Sequence, residues 1–230
     1  SAPVNSNNIC ISAQLFPIDL IDELESTCQI IQSNTDGVLL KLYRKEDYKE
    51  VMAICKEWSE RTKMKLGFDF YRKVVQKDVN NYLVVGTDEE VKRKGSWLKE
   101  LSPLDNDLPI VNKALVDYFT KNIPVEVTIS KADNLIDFQM ITKVGDKYDN
   151  AVYDDETLTD TVYRVFATKV GGHTLYKKHS VKQSEDKTAS TPESCIIINE
   201  NIEGRKIFPD LDKAWYVGMA NKRIEKILKG

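Results

Sequence analysis

The amino-acid sequence predicts an α+β fold, in which antiparallel hairpins and packed helices share one chain. Two hairpin patterns, each a pair of β-type apolar runs around a polar turn, lie at 28–43 and 65–86. Amphipathic helical patterns lie at 45–62 and 107–123, and strand-like runs dominate from Tyr153 onward. A chain of 230 residues can bury a full core, in one domain or in two smaller ones.

The composition is that of an ordinary globular protein, with 41% hydrophobic and 30% charged residues. No apolar run approaches the ~20 residues of a membrane span, so we expect no membrane partner. Four separated cysteines without a C-x-x-C pair favour a reduced setting, the cytoplasm of a bacterium or host cell. The net charge of −3 gives no global nucleic-acid signature, although residues 36–100 carry 15 basic and 12 acidic side chains.

The first hundred residues have the pattern of helix, hairpin, helix, hairpin and basic strand. Apolar spacing predicts a helix over 10–26, followed by the strands of the first hairpin. Gly37, which follows an Asp in the turn, is the residue type that accommodates a positive φ. The second hairpin is predicted to turn at 78–81, and the basic strand follows it.

A turn-rich segment at 102–107 marks the predicted domain boundary, so we expect domains at 1–101 and 102–230. Beyond it, Asp107 has the position of a helix N-cap, with Pro109 in the first helical turn. The next apolar patterns predict a short strand at 123–129 and a short helix at 135–144.

The last third of the chain is predicted to be strands followed by a helix. Runs at 162–168 and 173–178 flank a Gly171-Gly172 turn, and another strand is predicted at 195–199. Asp210 is the predicted N-cap of the C-terminal helix.

Asp36 is the only carboxylate in the polar turn of the first hairpin. Phosphoryl transfer by two metal ions needs carboxylates held on rigid backbone, and a hairpin tip is such a scaffold. Acidic residues are also common in turns for conformational reasons alone. The local pattern by itself therefore favours a structural role for Asp36 over a metal-binding role.

The order of elements, taken together with this turn, resembles the C-terminal half of a family B DNA polymerase. In that family the palm hairpin carries the motif Tyr-x-Asp-Thr-Asp-Ser, and the aligned residues here are Gln32-Ser33-Asn34-Thr35-Asp36-Gly37. The resemblance implies that Asp36 is the directly metal-binding second Asp. Asn34 replaces the first Asp, and Thr35 and Gly37 complete the supporting turn. This version resembles the divergent polymerases of phages, prophages and related mobile elements.

A second motif of the resemblance falls in the second hairpin. The family has a Lys-x-Tyr motif there that grips the primer terminus. Tyr82 matches its Tyr, but Asn80 stands where the Lys is expected, so that role either shifts to Lys77 or is lost. The next strand resembles the exit from palm to thumb, where basic side chains meet backbone phosphates. Its basic residues are Lys92, Arg93 and Lys94.

The family's first metal-binding motif and its nucleotide-gripping helix lie upstream of the palm hairpin. Only 35 residues precede Asp36, and neither motif is among them. The chain is therefore predicted to be the C-terminal palm and thumb of such a polymerase, as a fragment or a shortened gene product. With the upstream part of the enzyme, Asp36 would bind Mg²⁺ or Mn²⁺, and the partners would be dNTP and primer-template DNA. Alone, the chain should not polymerise.

Other interpretations stay open. The chain could be a noncatalytic α+β DNA-binding or interaction module of a mobile element, with Asp36 a turn residue only. The basic strand 92–94 also fits a solvated strand edge. An unrelated two-metal nuclease would need clustered acids, and the dense run considered for it, Asp154-Asp155-Glu156, has the pattern of an exposed turn.

Overall fold

The computed structural model describes residues 18–34, 37–95, 97–101, 107–145, 147–182, 184–188 and 191–229. Helices and antiparallel sheets alternate along these residues, which confirms the predicted α+β class. The chain divides into two units, Ser1–Asp69 and Phe70–Gly230.

The first unit combines a β-hairpin with two helices. Its elements are α1 (18–24), β1 (Cys28–Asn34), β2 (Gly37–Leu42), a 3₁₀ turn (Lys45–Asp47) and α2 (Tyr48–Thr62). Residues 10–17 of the predicted first helix lie outside the described residues, and 25–27 form a turn. Of the apolar face predicted for α2, Val51, Cys55 and Trp58 are buried and share a small core with α1 and β1, whereas Tyr48 is exposed. That core is Leu20, Leu24, Cys28, Val51, Cys55 and Trp58.

The first hairpin pairs as the sequence predicts. β1 and β2 are antiparallel, and their register runs from Cys28 opposite Leu42 to Asn34 opposite Gly37. Gly37 begins β2 without a left-handed backbone, so the positive φ that a glycine tolerates is not used at this position. Thr35 and Asp36 lie outside the described residues, as does the Asn34 side chain.

The second unit contains three sheets and three helices among its described residues. Its first sheet, in the order β3-β4-β5, is antiparallel and consists of β3 (Tyr71–Asp78), β4 (Asn81–Gly86) and β5 (Val91–Lys94). The helices are α3 (Pro109–Lys121), α4 (Val125–Lys131) and α5 (Lys213–Leu228). These helices pack against one another, and α5 also packs on β3.

The other two sheets are antiparallel as well. One has the order β12-β9-β6, from β6 (Met140–Lys143), β9 (Val162–Ala167) and β12 (Cys195–Ile197). The other has the order β11-β10-β7-β8, from β7 (Tyr148–Tyr153), β8 (Glu156–Leu158), β10 (Tyr176–His179) and β11 (Glu185–Lys187).

The predicted domain boundary after residue 101 falls inside the second unit. Leu83, Val85 and Leu98, which precede the boundary, are buried in one core with Leu108 and Leu115, which follow it. Apolar burial therefore joins the β3-β4-β5 sheet to the helices, and the contacts divide the chain near residue 70 instead.

Two predicted elements have the wrong type. Residues 125–131 form helix α4, because Val125, Thr128 and Ile129 are buried at helical spacing despite their β-branched side chains. Residues 135–144 form a 3₁₀ turn, Leu135–Phe138, followed by strand β6. At 125–131 the packing of the second unit outweighs local propensity, whereas in β6 the β-branched Ile141 and Thr142 agree with the strand.

Both predicted helix caps are also wrong. The N-cap of α3 is Leu108, and the Asp107 carboxylate instead accepts a hydrogen bond from the Ile141 N–H at 3.0 Å. Pro109 does occupy the first helical turn. The N-cap of α5 is Asp212, which accepts hydrogen bonds from the second and third backbone N–H groups of the helix.

The turn at Gly171-Gly172 does not join two paired strands. β9 pairs with β6 and β12, whereas β10 pairs with β7 and β11. The exposed turn predicted at Asp154-Asp155 is confirmed, since both residues have positive φ between β7 and β8.

Candidate nucleic-acid interface

One carboxylate organises the turn between β3 and β4. Asp78 accepts hydrogen bonds from the Asn81 side-chain amide at 2.8 and 2.9 Å and from the Asn80 backbone N–H at 2.9 Å. These bonds, above all the one from Asn81, lower the pKa of the Asp78 carboxyl, and the nearby Lys77 ammonium adds to the effect. The exposed Asn80 is therefore carried on a turn that an ionised Asp78 holds in place.

Lys92 and Lys94 share a face of the sheet with Tyr82. Tyr82 of β4 pairs directly with Lys94 of β5, and Lys92 lies two residues before Lys94 on β5. Strand alternation therefore places the three side chains on one side of the sheet. Arg93 pairs with Leu83, which is fully buried in the core. The predicted basic segment is therefore divided between two faces, with Arg93 opposite the other two.

The side chains on the Tyr82 face suit contact with a large anion. Lys92 and Lys94 are exposed on β5, which is the edge strand of its sheet, and Tyr82 is half-buried beside them. Lys94 forms no ion pair with any residue that the structure describes. We call Tyr82, Lys92 and Lys94 the Tyr82 face.

A second cluster of cations surrounds Trp97, on the side of the sheet where α5 packs. The Arg223 guanidinium lies 5.4 Å from the Trp97 ring centroid, and the ammonium groups of Lys77 and Lys226 lie at 5.6 and 5.9 Å. These distances are within the range of cation–π attraction. We call these four residues the Trp97 site.

Trp97 is held by its backbone. The side-chain amide of Asn112, a buried residue of α3, donates hydrogen bonds to the carbonyls of Trp97 at 2.9 Å and Lys99 at 3.2 Å. The N–H groups of Leu98 and Lys99 donate to the carbonyl of Gly95 at 3.2 and 2.9 Å. The short turn that carries the indole is thus anchored at both ends.

The Trp97 site is not evident in the sequence. Lys77 is predicted from the sequence as a candidate primer-binding residue, and the structure places its ammonium 3.8 Å from the Asp78 carboxylate and over the Trp97 ring. Arg223 and Lys226 lie more than a hundred residues further along the chain, on α5. Their spacing of three residues was the only available signal, since it places both on one helical face.

The described residues include no group of three His, Cys, Asp or Glu side chains that could hold a metal ion. Asp36, the predicted metal ligand, is outside these residues, so no coordination geometry is assigned to it. At the Asp154-Asp155 turn, the only nearby imidazole partner within the described chain is His173, whose Nδ1 lies 3.1 Å from Asp154 Oδ1.

No protein-family model and no curated protein sequence matches this chain. In the part of the chain that the structure describes, no helix has the length and apolar character needed to cross a membrane.

Proposed function

We propose that this chain is the C-terminal palm and thumb part of a family B-like DNA polymerase, and that it holds duplex primer-template DNA. The observation that carries the DNA-holding role is the Tyr82 face, where two exposed lysines and a tyrosine lie together at a sheet edge. In the complete enzyme, Asp36 would be a ligand of Mg²⁺ or Mn²⁺, and the upstream part would contribute the remaining ligands and the dNTP contacts.

The chemistry of the Tyr82 face suits the DNA backbone rather than the bases. Lysine ammonium groups neutralise phosphates without regard to sequence, and a tyrosine hydroxyl can donate to a phosphate or sugar oxygen. A polymerase must hold every sequence equally, so contacts of this kind fit the proposed role. Arg93 is excluded from this set because it lies on the opposite face.

The first test measures duplex binding by fluorescence anisotropy from roughly 50 to 200 mM KCl. A Lys92→Ala/Lys94→Ala variant should bind more weakly and lose about two units of salt slope, since each lysine–phosphate contact contributes about 0.9. The matched control is Lys113→Ala/Lys131→Ala, which removes the same charge from exposed positions of α3 and α4. Equal loss in both variants, or no loss in either, would contradict the proposal.

The second test concerns Asp36. Titration with Mn²⁺ should broaden the backbone NMR signals of Gly37 and Val38, and Asp36→Asn should abolish the effect. Asp155→Asn is the control, because Asp155 is also an acid in a hairpin turn. Duplex binding that needs Lys92 and Lys94, without any Mn²⁺ effect from Asp36, would instead indicate a noncatalytic DNA-binding module.

A further inference from the structure

We propose that the Trp97 site binds the backbone of a single-stranded nucleic acid, with the indole as the surface on which a base stacks. The inference rests on the proposed function for the identity of the ligand as nucleic acid. It adds to that function a preference for single-stranded over duplex nucleic acid, and a set of contacts separate from the Tyr82 face.

The first support is a positive charge that the neighbouring carboxylates neutralise only in part. Asp78 lies 3.8 Å from the Lys77 ammonium and offsets one of the three cationic charges. Within the described parts of the chain, Lys226 forms no ion pair, and its neighbour Glu225 pairs with Lys229 at 3.3 Å. Three cations therefore lie around one ring, and among the described carboxylates only Asp78 lies within ion-pair distance of one of them.

The second support is the state of Arg223. Its guanidinium is largely removed from water, which lowers its pKa, and the Asp107 carboxylate partly offsets this. Asp107 itself accepts from the Ile141 N–H. Arg223 donates no hydrogen bond to any described residue, although a guanidinium has five N–H donors. A phosphate oxygen is the kind of acceptor that would satisfy these donors.

The third support is the preorganisation of the aromatic ring. The bonds from Asn112 to the Trp97 and Lys99 carbonyls hold the turn, and the indole remains partly exposed. Proteins that bind single strands combine a basic surface with aromatic side chains on which bases stack. Bases in a duplex already stack on one another, so an indole ring favours a single strand.

The Trp97 site and the Tyr82 face are separable by mutation. Lys94 shares the Tyr82 side of the sheet, whereas Trp97 contacts residues of α5, which packs on β3. A variant of one set therefore leaves the other set of side chains in place.

The test compares binding of a fluorescent oligo(dT) of about 16 nucleotides with binding of a duplex. Lys77→Ala/Lys226→Ala should weaken oligo(dT) binding at least about fivefold and change duplex binding by less than about twofold. Trp97→Leu should give a similar loss for oligo(dT), since stacking on one aromatic side chain contributes at least that much. Lys113→Ala/Lys131→Ala is again the control, and circular dichroism confirms that each variant is folded.

Three outcomes would overturn the inference. The first is oligo(dT) binding unchanged in Lys77→Ala/Lys226→Ala, which leaves the proposed function intact if Lys92→Ala/Lys94→Ala still weakens duplex binding. The second is an equal loss for oligo(dT) and duplex. The third is competition by polyglutamate as strong as that by unlabelled oligo(dT), which would indicate an acidic protein partner. Failure of both DNA ligands to bind the unmodified chain would contradict the proposed function as well.

Discussion

Gly95 lies directly against Asn81, across the end of the β4-β5 ladder. A Cβ placed on Gly95 would be 2.8 Å from the Asn81 Cα, closer than real Cβ contacts, and the φ of Gly95 is +102°. Asn81 holds the Asp78 turn, and Gly95 begins the turn that carries Trp97. One backbone contact therefore connects the turn beside Tyr82 with the Trp97 site.

Gly95→Ala is expected to destabilise the protein by more than about 1 kcal/mol, because it adds a steric clash to an unfavourable φ. Urea denaturation measures the change. Gly171→Ala is the matched control, since Gly171 also has a positive φ, +67°, but a Cβ there meets nothing within 4 Å. Equal losses in the two variants would show that the Asn81 contact is not important.

Asp78→Asn is expected to make the stability of the protein depend less on pH at acidic pH. Hydrogen bonds from Asn81 and Asn80, with the Lys77 charge, lower the pKa of Asp78 below its ordinary value of 3.8. The ionised group therefore stabilises the fold above about pH 4, and this contribution is lost as the pH falls through the folded-state pKa. Urea midpoints from pH 6 down to pH 3 should decline less in Asp78→Asn than in the unmodified chain. Parallel declines would refute the role of Asp78.

Asp212→Ala is expected to cost about 1 kcal/mol of unfolding free energy, because Asp212 accepts hydrogen bonds from the Ala214 and Trp215 N–H groups at the start of α5. Asp210→Ala is the control. The Asp210 carboxylate makes no hydrogen bond or ion pair with a described residue, so the change should be close to zero. The reverse order of effects would support the cap predicted from the sequence.

Tyr216→Phe is expected to cost about 1–3 kcal/mol, because it removes a buried hydroxyl with two partners. That hydroxyl donates to the Phe138 carbonyl at 2.7 Å and accepts from the Ala167 N–H at 3.2 Å. Tyr118→Phe should have little effect, since no hydrogen bond joins the Tyr118 hydroxyl to the described residues.

Tyr216 is also expected to affect how stability changes at alkaline pH. Burial raises the pKa of its hydroxyl, so the unfolded chain ionises first and stability should fall as the pH rises above about 10. Tyr216→Phe should lose part of this decline in urea midpoints between pH 9 and 11. An unchanged decline would mean that other groups cause it.

The hairpins were predictable because their signals are local. A polar turn between two apolar runs specifies how the strands pair, as at Asn34 opposite Gly37 and Gln76 opposite Tyr82. The first strand of the second hairpin, however, begins at Tyr71 and not at the predicted residue 65. The helix at 125–131 was not predictable from its β-branched residues, because its type depends on packing against α3 and α5. The caps failed for a related reason. The Asp107 carboxylate accepts from the Ile141 N–H instead of capping α3, and Asp212, not Asp210, lies at the start of α5.

The sequence by itself determined the α+β class, the two hairpins, the buried face of α2 and the basic character of β5. These features depend on residue order over a few positions, where periodicity and turn chemistry act directly. Only the tertiary structure decided that Arg93 lies opposite Lys92 and Lys94, and that Lys77 meets Arg223 and Lys226 around Trp97. The face that Arg93 occupies is set by which side of the β3-β4-β5 sheet is buried in the core. The cations meet around Trp97 because α5 packs on β3. Neither is readable from local sequence, because both depend on which apolar surfaces become buried together.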